Sequence, residues 1–145
     1  FVEAAACPGA GVFALVRTSN PGAADVLDLP APERPLHEHI AGLIAERADR
    51  LAGSGEGEGI SGMGAVAGAT EPGFLARLRE LMPAAIILVP GVGAQGGNAA
   101  DLGPAFSAHP ASVLVTASRS IAGADDPGAA AERLRDELAS VAPSG

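Results

Sequence analysis

Four short runs of almost uninterrupted apolar residues constrain this chain more than any other feature. They are Gly11 to Val16 (GVFALV), Gly62 to Ala69 (GMGAVAGA), Ala85 to Val89 (AIILV) and Ser112 to Ala117 (SVLVTA). Each ends at a turn or a polar residue, the pattern of a strand buried on both faces, as in a parallel sheet. The segments between them read as helices. Leu36, Ile40, Leu43, Ile44 and Leu51 share one face, with Glu46, Arg47, Asp49 and Arg50 largely off it. Phe74, Leu75, Leu78 and Leu81 form the stripe of a second helix, with Thr70 as its expected cap and Pro72 in its first turn. A short helix is expected over Asp101 to Ala108, weakened by Gly103 and Pro104. The last begins near Asp125 or Asp126, runs through Leu134, Leu138 and Val141, and stops at Pro143.

The resulting order is βα repeated four times, a parallel α/β architecture. Four such units are half of a (β/α)8 barrel, but they also make a small doubly wound sheet, and counting alone does not decide. Ser54 to Gly59 (SGEGEG) is predicted to be an exposed, mobile loop rather than a domain boundary, so residues 1–145 form one unit.

Composition removes several function classes. The chain has 145 residues, enough for one domain with a core, and 48% hydrophobic residues argue against disorder. A formal charge of −8 argues against a nucleic-acid-binding domain, which needs a basic face against phosphates. All nine basic residues are Arg, so Schiff-base, lysine general-acid and P-loop lysine chemistry are absent from this chain. The lone Cys7 cannot form an internal disulfide, which fits a reducing cytoplasm. No apolar run approaches the ~20 residues of a membrane span, and no signal peptide is visible at Phe1, so none is expected. Because it starts at Phe1, without Met and already inside structured sequence, an upstream part is expected to be missing.

Ligands of parallel α/β folds bind beyond the C-terminal strand ends. The residues following the four runs are Arg17 to Gly22 (RTSNPG), Thr70-Glu71-Pro72, Pro90 to Asn98 (PGVGAQGGN) and Ser118 to Ile121 (SRSI). The third is glycine-rich, with Gly91, Gly93, Gly96 and Gly97 allowing close backbone approach and Gln95 adding an amide. It lacks the Lys and Ser/Thr of a Walker A loop, and it does not open a helix as a dinucleotide fingerprint does. Arg119, just past the fourth run, can hold phosphate oxygens bidentately. If the four units are strands five to eight, Gln95 and Arg119 fall where (β/α)8 enzymes usually bind phosphate. Ser-Asn-Pro-Gly is also good turn chemistry, and Asn20 reads as shaping a turn. His37 and His39 read as surface residues, His109 as a loop residue and Asp125 and Asp126 as helix-capping residues, and no metal-ligand cluster is apparent.

Four of these motifs together resemble one family. LVRTSNPGA (Leu15 to Ala23), GAVAGAT (Gly64 to Thr70), LVPGVGAQGG (Leu88 to Gly97) and SRSI are similar, in that order, to strand-end segments of the bacterial type 2 orotidine 5′-phosphate decarboxylases. The resemblance implies the C-terminal half of a (β/α)8 TIM barrel and the conversion of orotidine monophosphate to UMP and CO2 without metal or organic cofactor. It implies that Ser19 bonds the pyrimidine ring and reaches Gln95, and that Pro90 lines the base pocket. Gln95 and Arg119 would hold the phosphate, with the backbone near Ser118 assisting. It implies as partners the substrate, an N-terminal half-barrel and, in the full enzyme, a second subunit. The sequence departs from the family at Val92 and Glu71, where many members carry Tyr. The family's Asp/Lys catalytic array is absent, so no catalytic residue is assigned to this chain. Another phosphate-binding (β/α)8 enzyme and a non-catalytic (βα)4 module that binds a phosphorylated ligand are the competing readings.

Overall fold

The computed structural model describes residues 1–7, 9–51, 59–106 and 109–143. The strands are β1 (Val12–Arg17), β2 (Ser61–Ala67), β3 (Ala85–Pro90) and β4 (Val113–Thr116), matching the four apolar runs. The helices are α1 (Val2–Ala5), α2 (Ala23–Leu27), α3 (Leu36–Ala45), α4 (Pro72–Leu81), α5 (Ser118–Ala122) and α6 (Pro127–Val141). Single 3-10 segments span Ala48–Leu51, Ala99–Ala105 and Pro110–Ser112.

The sheet order is β1-β2-β3-β4, and every pairing is parallel. This order settles what counting left open. A doubly wound sheet reverses its strand order at a switch point, so some consecutive strands are not neighbours. Here each strand lies beside its predecessor, as in a (β/α)8 barrel, of which the chain forms a four-strand part.

The two faces of the sheet have different surroundings. Ala14, Ala65, Ile87 and Val113 stand in register across the four strands. Ala65 and Ile87 are fully buried, in one cluster with Ala41 and Ile44 of α3, Leu75 and Leu78 of α4, and Leu102. The adjacent row is Leu15, Val66, Leu88 and Leu114. Leu15 is 58% exposed, Leu114 46% and Phe13 43%. The helices therefore cover one face, and an apolar face with open edges at β1 and β4 remains.

At the N-terminal end of the sheet, Arg79 of α4 lies inside the protein, 8% exposed, with no carboxylate against it among the described residues. Its Nε donates to Ala105 O at 2.7 Å, and Nη2 donates to Ser112 O at 3.0 Å. Nη1 donates to Met82 O, Pro83 O and Ala85 O at 2.9, 3.2 and 2.8 Å. Burial pushes the guanidinium down to about 10, so it is still charged at neutral pH, and carbonyl acceptors favour that charged form.

Several local expectations are corrected. Thr70 does not cap α4: the helix starts one residue later, with Glu71 at its N-cap and no side-chain bond there. Leu43 is 50% exposed, because α3 turns His37, Ala41 and Ile44 inward instead. His37 is buried at 3% rather than on the surface. Its Nδ1 lies 2.9 Å from Leu27 O and 3.2 Å from an Asp28 carboxylate oxygen, and its ring meets Phe74 edge-on. The helix expected over Asp101 to Ala108 is a 3-10 segment over Ala99–Ala105, capped by the Asn98 side chain. Most of the SGEGEG loop lies outside the described residues. Asp126 caps α6 by accepting from Ala129 N at 3.0 Å, as expected.

Two outcomes follow from this packing. Arg79→Met should leave several inward-facing carbonyls unpartnered and lower stability by roughly 3 kcal/mol. Urea unfolding measures this, and a loss below about 1 kcal/mol would contradict the role given to Arg79. The chain alone should self-associate through its apolar face, and Leu114→Asp should reduce that. Sedimentation showing a clean monomer of the unaltered chain would count against the open face.

Candidate functional site

The C-terminal strand ends converge on one cleft, built mainly by β3 and β4. β3 runs through Val89, which is fully buried, to Pro90 and then into a loop closed on itself. Gly97 N donates to Gly91 O at 3.0 Å, Gly93 N to Gly97 O at 2.9 Å and Gly96 N to Gly93 O at 2.9 Å. The loop needs left-handed backbone at Gly91, where φ is +102°, a conformation glycine adopts without the Cβ penalty. Val92 is 6% exposed and belongs to the core cluster, anchoring the loop from below.

β4 pairs with β3 through Thr116 and Pro90, so the segment after β4 emerges beside this loop. There the chain turns directly into α5, whose first residues are Ser118 and Arg119. The sequence reading missed this helix, since five residues are too few to show a 3.6-residue period. Ser120 Oγ donates to Ala117 O at 3.0 Å, and its side chain packs against Gly93.

Pro90, Gly91, Val92, Ala94, Gln95, Thr116, Ala117, Ser118 and Arg119 line a cleft of about 120 Å³. Four of the five residues singled out from sequence, Pro90, Gln95, Ser118 and Arg119, are therefore brought together. The volume is well below the ~300 Å³ at which small-molecule pockets begin, so this cleft suits one end of a ligand. Arg119 is exposed and has no ion-pair partner among the described residues.

The fifth residue, Ser19, follows β1 and reaches the same loop across the sheet. Its Oγ donates to Gln95 Oε1 at 3.0 Å, although 76 residues separate them. Asn20, by contrast, bonds Pro21 O at 3.1 Å and shapes the turn. Gly68, just past β2, makes the Ser19 position possible. A Cβ at Gly68 would lie 2.7 Å from Ser19 Cβ and 2.9 Å from Ser19 N. Sequence reasoning missed Gly68 and Thr116. Thr116 was discoverable as the last residue of its strand, whereas the closeness of Gly68 to Ser19 appears only in three dimensions.

The polarity of the bridge has consequences. The one Ser19 hydroxyl proton is given to Gln95, so toward a ligand Ser19 offers only lone pairs. Gln95 Oε1 accepts that bond, which leaves the two NH2 donors of the amide available to a ligand. Together with the Arg119 guanidinium, the loop side is donor-rich and suits an anion. Among the described residues, no group of three or more His, Cys, Asp and Glu is placed to hold a metal ion. No helix there is long and apolar enough to cross a membrane.

The chain was compared with known proteins. A family model described as "Orotidine 5′-phosphate decarboxylase / HUMPS family" matches residues 1–134. The orotidine 5′-phosphate decarboxylase of Deinococcus radiodurans is 48% identical over 143 residues, covering 95% of this chain and 50% of the relative. That of Rhodopirellula baltica is 43% identical over 122 residues, 83% of this chain and 39% of the relative. Among solved structures, Leishmania donovani OMP decarboxylase superposes with a TM-score of 0.73 at 36% identity, over 92% of this chain and 49% of that one. The chain thus spans about half the length of the curated relatives it matches.

Gly68→Ala should push Ser19 out of position and cost about 1–3 kcal/mol by overpacking. Gly73→Ala, where an added Cβ meets nothing within 4 Å, should be neutral or slightly stabilising. Parallel denaturant titrations test this, and a Gly68→Ala protein as stable as its parent would remove the close-approach argument.

Proposed function

This chain belongs to the orotidine 5′-phosphate decarboxylase / HUMPS family, and from that premise we propose that it carries the phosphate grip and part of the base pocket of an orotidine 5′-phosphate decarboxylase. The parent enzyme converts orotidine monophosphate to UMP and CO2. The observation that carries the reading is the shared cleft of Gln95 and Arg119, with Ser19 bonded to Gln95. A phosphate is acceptor-only, which matches the donors left on Gln95 and Arg119. The N–H groups of the first turn of α5, at Ser118 and Arg119, have no intrahelical partner and add to the same side. A pyrimidine imide presents an N–H, which matches the lone pairs left on Ser19. Pro90 lines the same cleft and is assigned to the base side.

The same assignment divides the work of catalysis. Phosphate binding remote from the reacting carbon supplies energy that is used there, because it orients the substrate and closes the site against water. The proton that replaces CO2 needs a donor, and this chain contains no lysine. The catalytic Lys/Asp array is proposed to come from an N-terminal half-barrel that pairs with the open edges of β1 and β4 and covers the apolar face. The two halves make one barrel domain, which works in the cytoplasm without a metal or organic cofactor and, in the full enzyme, as a homodimer.

Calorimetric titration with UMP tests the reading. Loss of the charge-assisted bonds in Arg119→Ala should weaken binding by about 10- to 100-fold. Unchanged affinity would refute the phosphate assignment. The chain alone should show no turnover of orotidine monophosphate, and adding a lysine-bearing N-terminal half should restore it. Binding that is equally tight with and without the second half would favour a self-contained binding module.

A further inference from the structure

Arg17 is the last residue of β1, at the rim where ligand-binding side chains are expected, yet it does not line the cleft, and each nitrogen of its guanidinium bonds within the protein. Nε donates to Asp28 Oδ1 at 2.8 Å and Nη2 to Asp28 Oδ2 at 3.0 Å. Nη1 donates to the carbonyl of the next residue, Thr18. The guanidinium carbon lies 4.8 Å from the centre of the Phe74 ring. The Arg17 side chain is 12% exposed and that of Asp28 is 31%. Each of its three guanidinium nitrogens is thus committed to Asp28 or Thr18, although its place in the sequence invites a phosphate-binding role.

The arrangement has a mechanical consequence for Ser19. The Arg17 backbone is held by the sheet, since Gly68 N donates to Arg17 O at 2.8 Å. From that fixed point the side chain reaches eleven residues ahead to Asp28, just after α2, and so closes the segment that carries Ser19 into a ring. His37 Nδ1 lies 3.2 Å from the same Asp28 Oδ1 that Arg17 Nε bonds, and the His37 ring meets Phe74 edge-on at 5.1 Å. The bond to Thr18 O orients the peptide that leads directly into Ser19. Phe74 comes from α4 and His37 from α3, so two helices brace the pair from behind.

We propose that Arg17 and Asp28 are positioning residues: their bidentate pair, seated on Phe74, holds Ser19 at bonding distance from Gln95 and so keeps the cleft in its ligand-ready form. The pair touches no ligand and acts only through Ser19. A planar fork on a carboxylate suits this use, because two parallel bonds fix direction as well as distance. The inference rests on the ligand role given to Ser19 above.

A double-mutant cycle read as UMP affinity tests it, using Asp28→Asn, Ser19→Ala and the double variant. Asp28→Asn should weaken UMP binding by about tenfold. The double variant should bind no more weakly than the worse single one, because both changes remove the same contact. Arg17→Lys, which keeps the charge but loses the fork, should behave as Asp28→Asn does and stands in for it if that variant does not fold. Arg77→Met is the control: it breaks the similarly bidentate pair of Arg77 with Glu38, at 3.1 and 2.9 Å, which joins α4 to α3 without involving Arg17 or Asp28, and should leave affinity unchanged. Losses that multiply in the double variant, or an affinity untouched by Asp28→Asn or by Arg17→Lys, would overturn the proposal. An affinity untouched by Ser19→Ala would instead overturn the ligand role of Ser19, and the positioning role with it.

Discussion

The Arg79 guanidinium holds together the end of the sheet opposite the cleft. Its five bonds go to carbonyls in three places: the turn from α4 into β3, the end of the Ala99–Ala105 segment, and the residue before β4. Those are the points at which β3 and β4 begin. A strand is a nearly rigid rise of about 3.3 Å per residue, so fixing where two neighbouring strands start also fixes where they end. The loop carrying Gln95 and the first turn of α5 carrying Arg119 follow those ends. A buried charge without a carboxylate is costly unless it is well hydrogen-bonded, and here backbone carbonyls supply the acceptors to all three guanidinium nitrogens.

At the other end, the cleft depends on side chains that do not face it. Val92 roots the glycine loop in the core, Gly68 yields space to Ser19, and Ser120 packs against Gly93. The proposed ligand-facing groups are few and are held from behind. This agrees with a division in which one half of a barrel binds and orients while the other performs the proton chemistry. The exposed row of Leu15 and Leu114 beside half-buried Val66 and Leu88 belongs to the same division. It is an apolar face without cover, suited to meet more of the same architecture.

Some of this was legible from residues in order. The four strands, the capping of α6 by Asp126 and the nearness of Gln95 to Arg119 follow from apolar runs and from what comes after each of them, while Pro90 and Ser118 are marked by the family resemblance. The misreadings share a cause. His37 looks like a surface residue because its neighbours Glu38 and His39 are polar, but Leu27 O and Asp28 satisfy its ring inside. Leu43 looks like core, yet α3 is rotated to bring Ala41 and Ile44 onto the sheet. Thr70 is a good cap by type, but its helix starts one residue too late to use it. In each case a partner distant in sequence, or the seating of a whole helix, outweighed the local signal.

The sequence by itself determined that alternating apolar and amphipathic segments would build a parallel α/β unit, and that without lysine the unit could not perform lysine chemistry. Those conclusions rest on period, composition and the inventory of side chains, which need no coordinates. Only the tertiary structure decided between barrel and doubly wound sheet, because strand order is a relation among segments far apart in the chain. It alone joined Ser19 to Gln95 and turned Arg17 toward Asp28 rather than the cleft. Hydrogen bonds of 2.8 to 3.0 Å depend on where the folded backbone puts donors and acceptors, and residue order does not encode that separately from the fold.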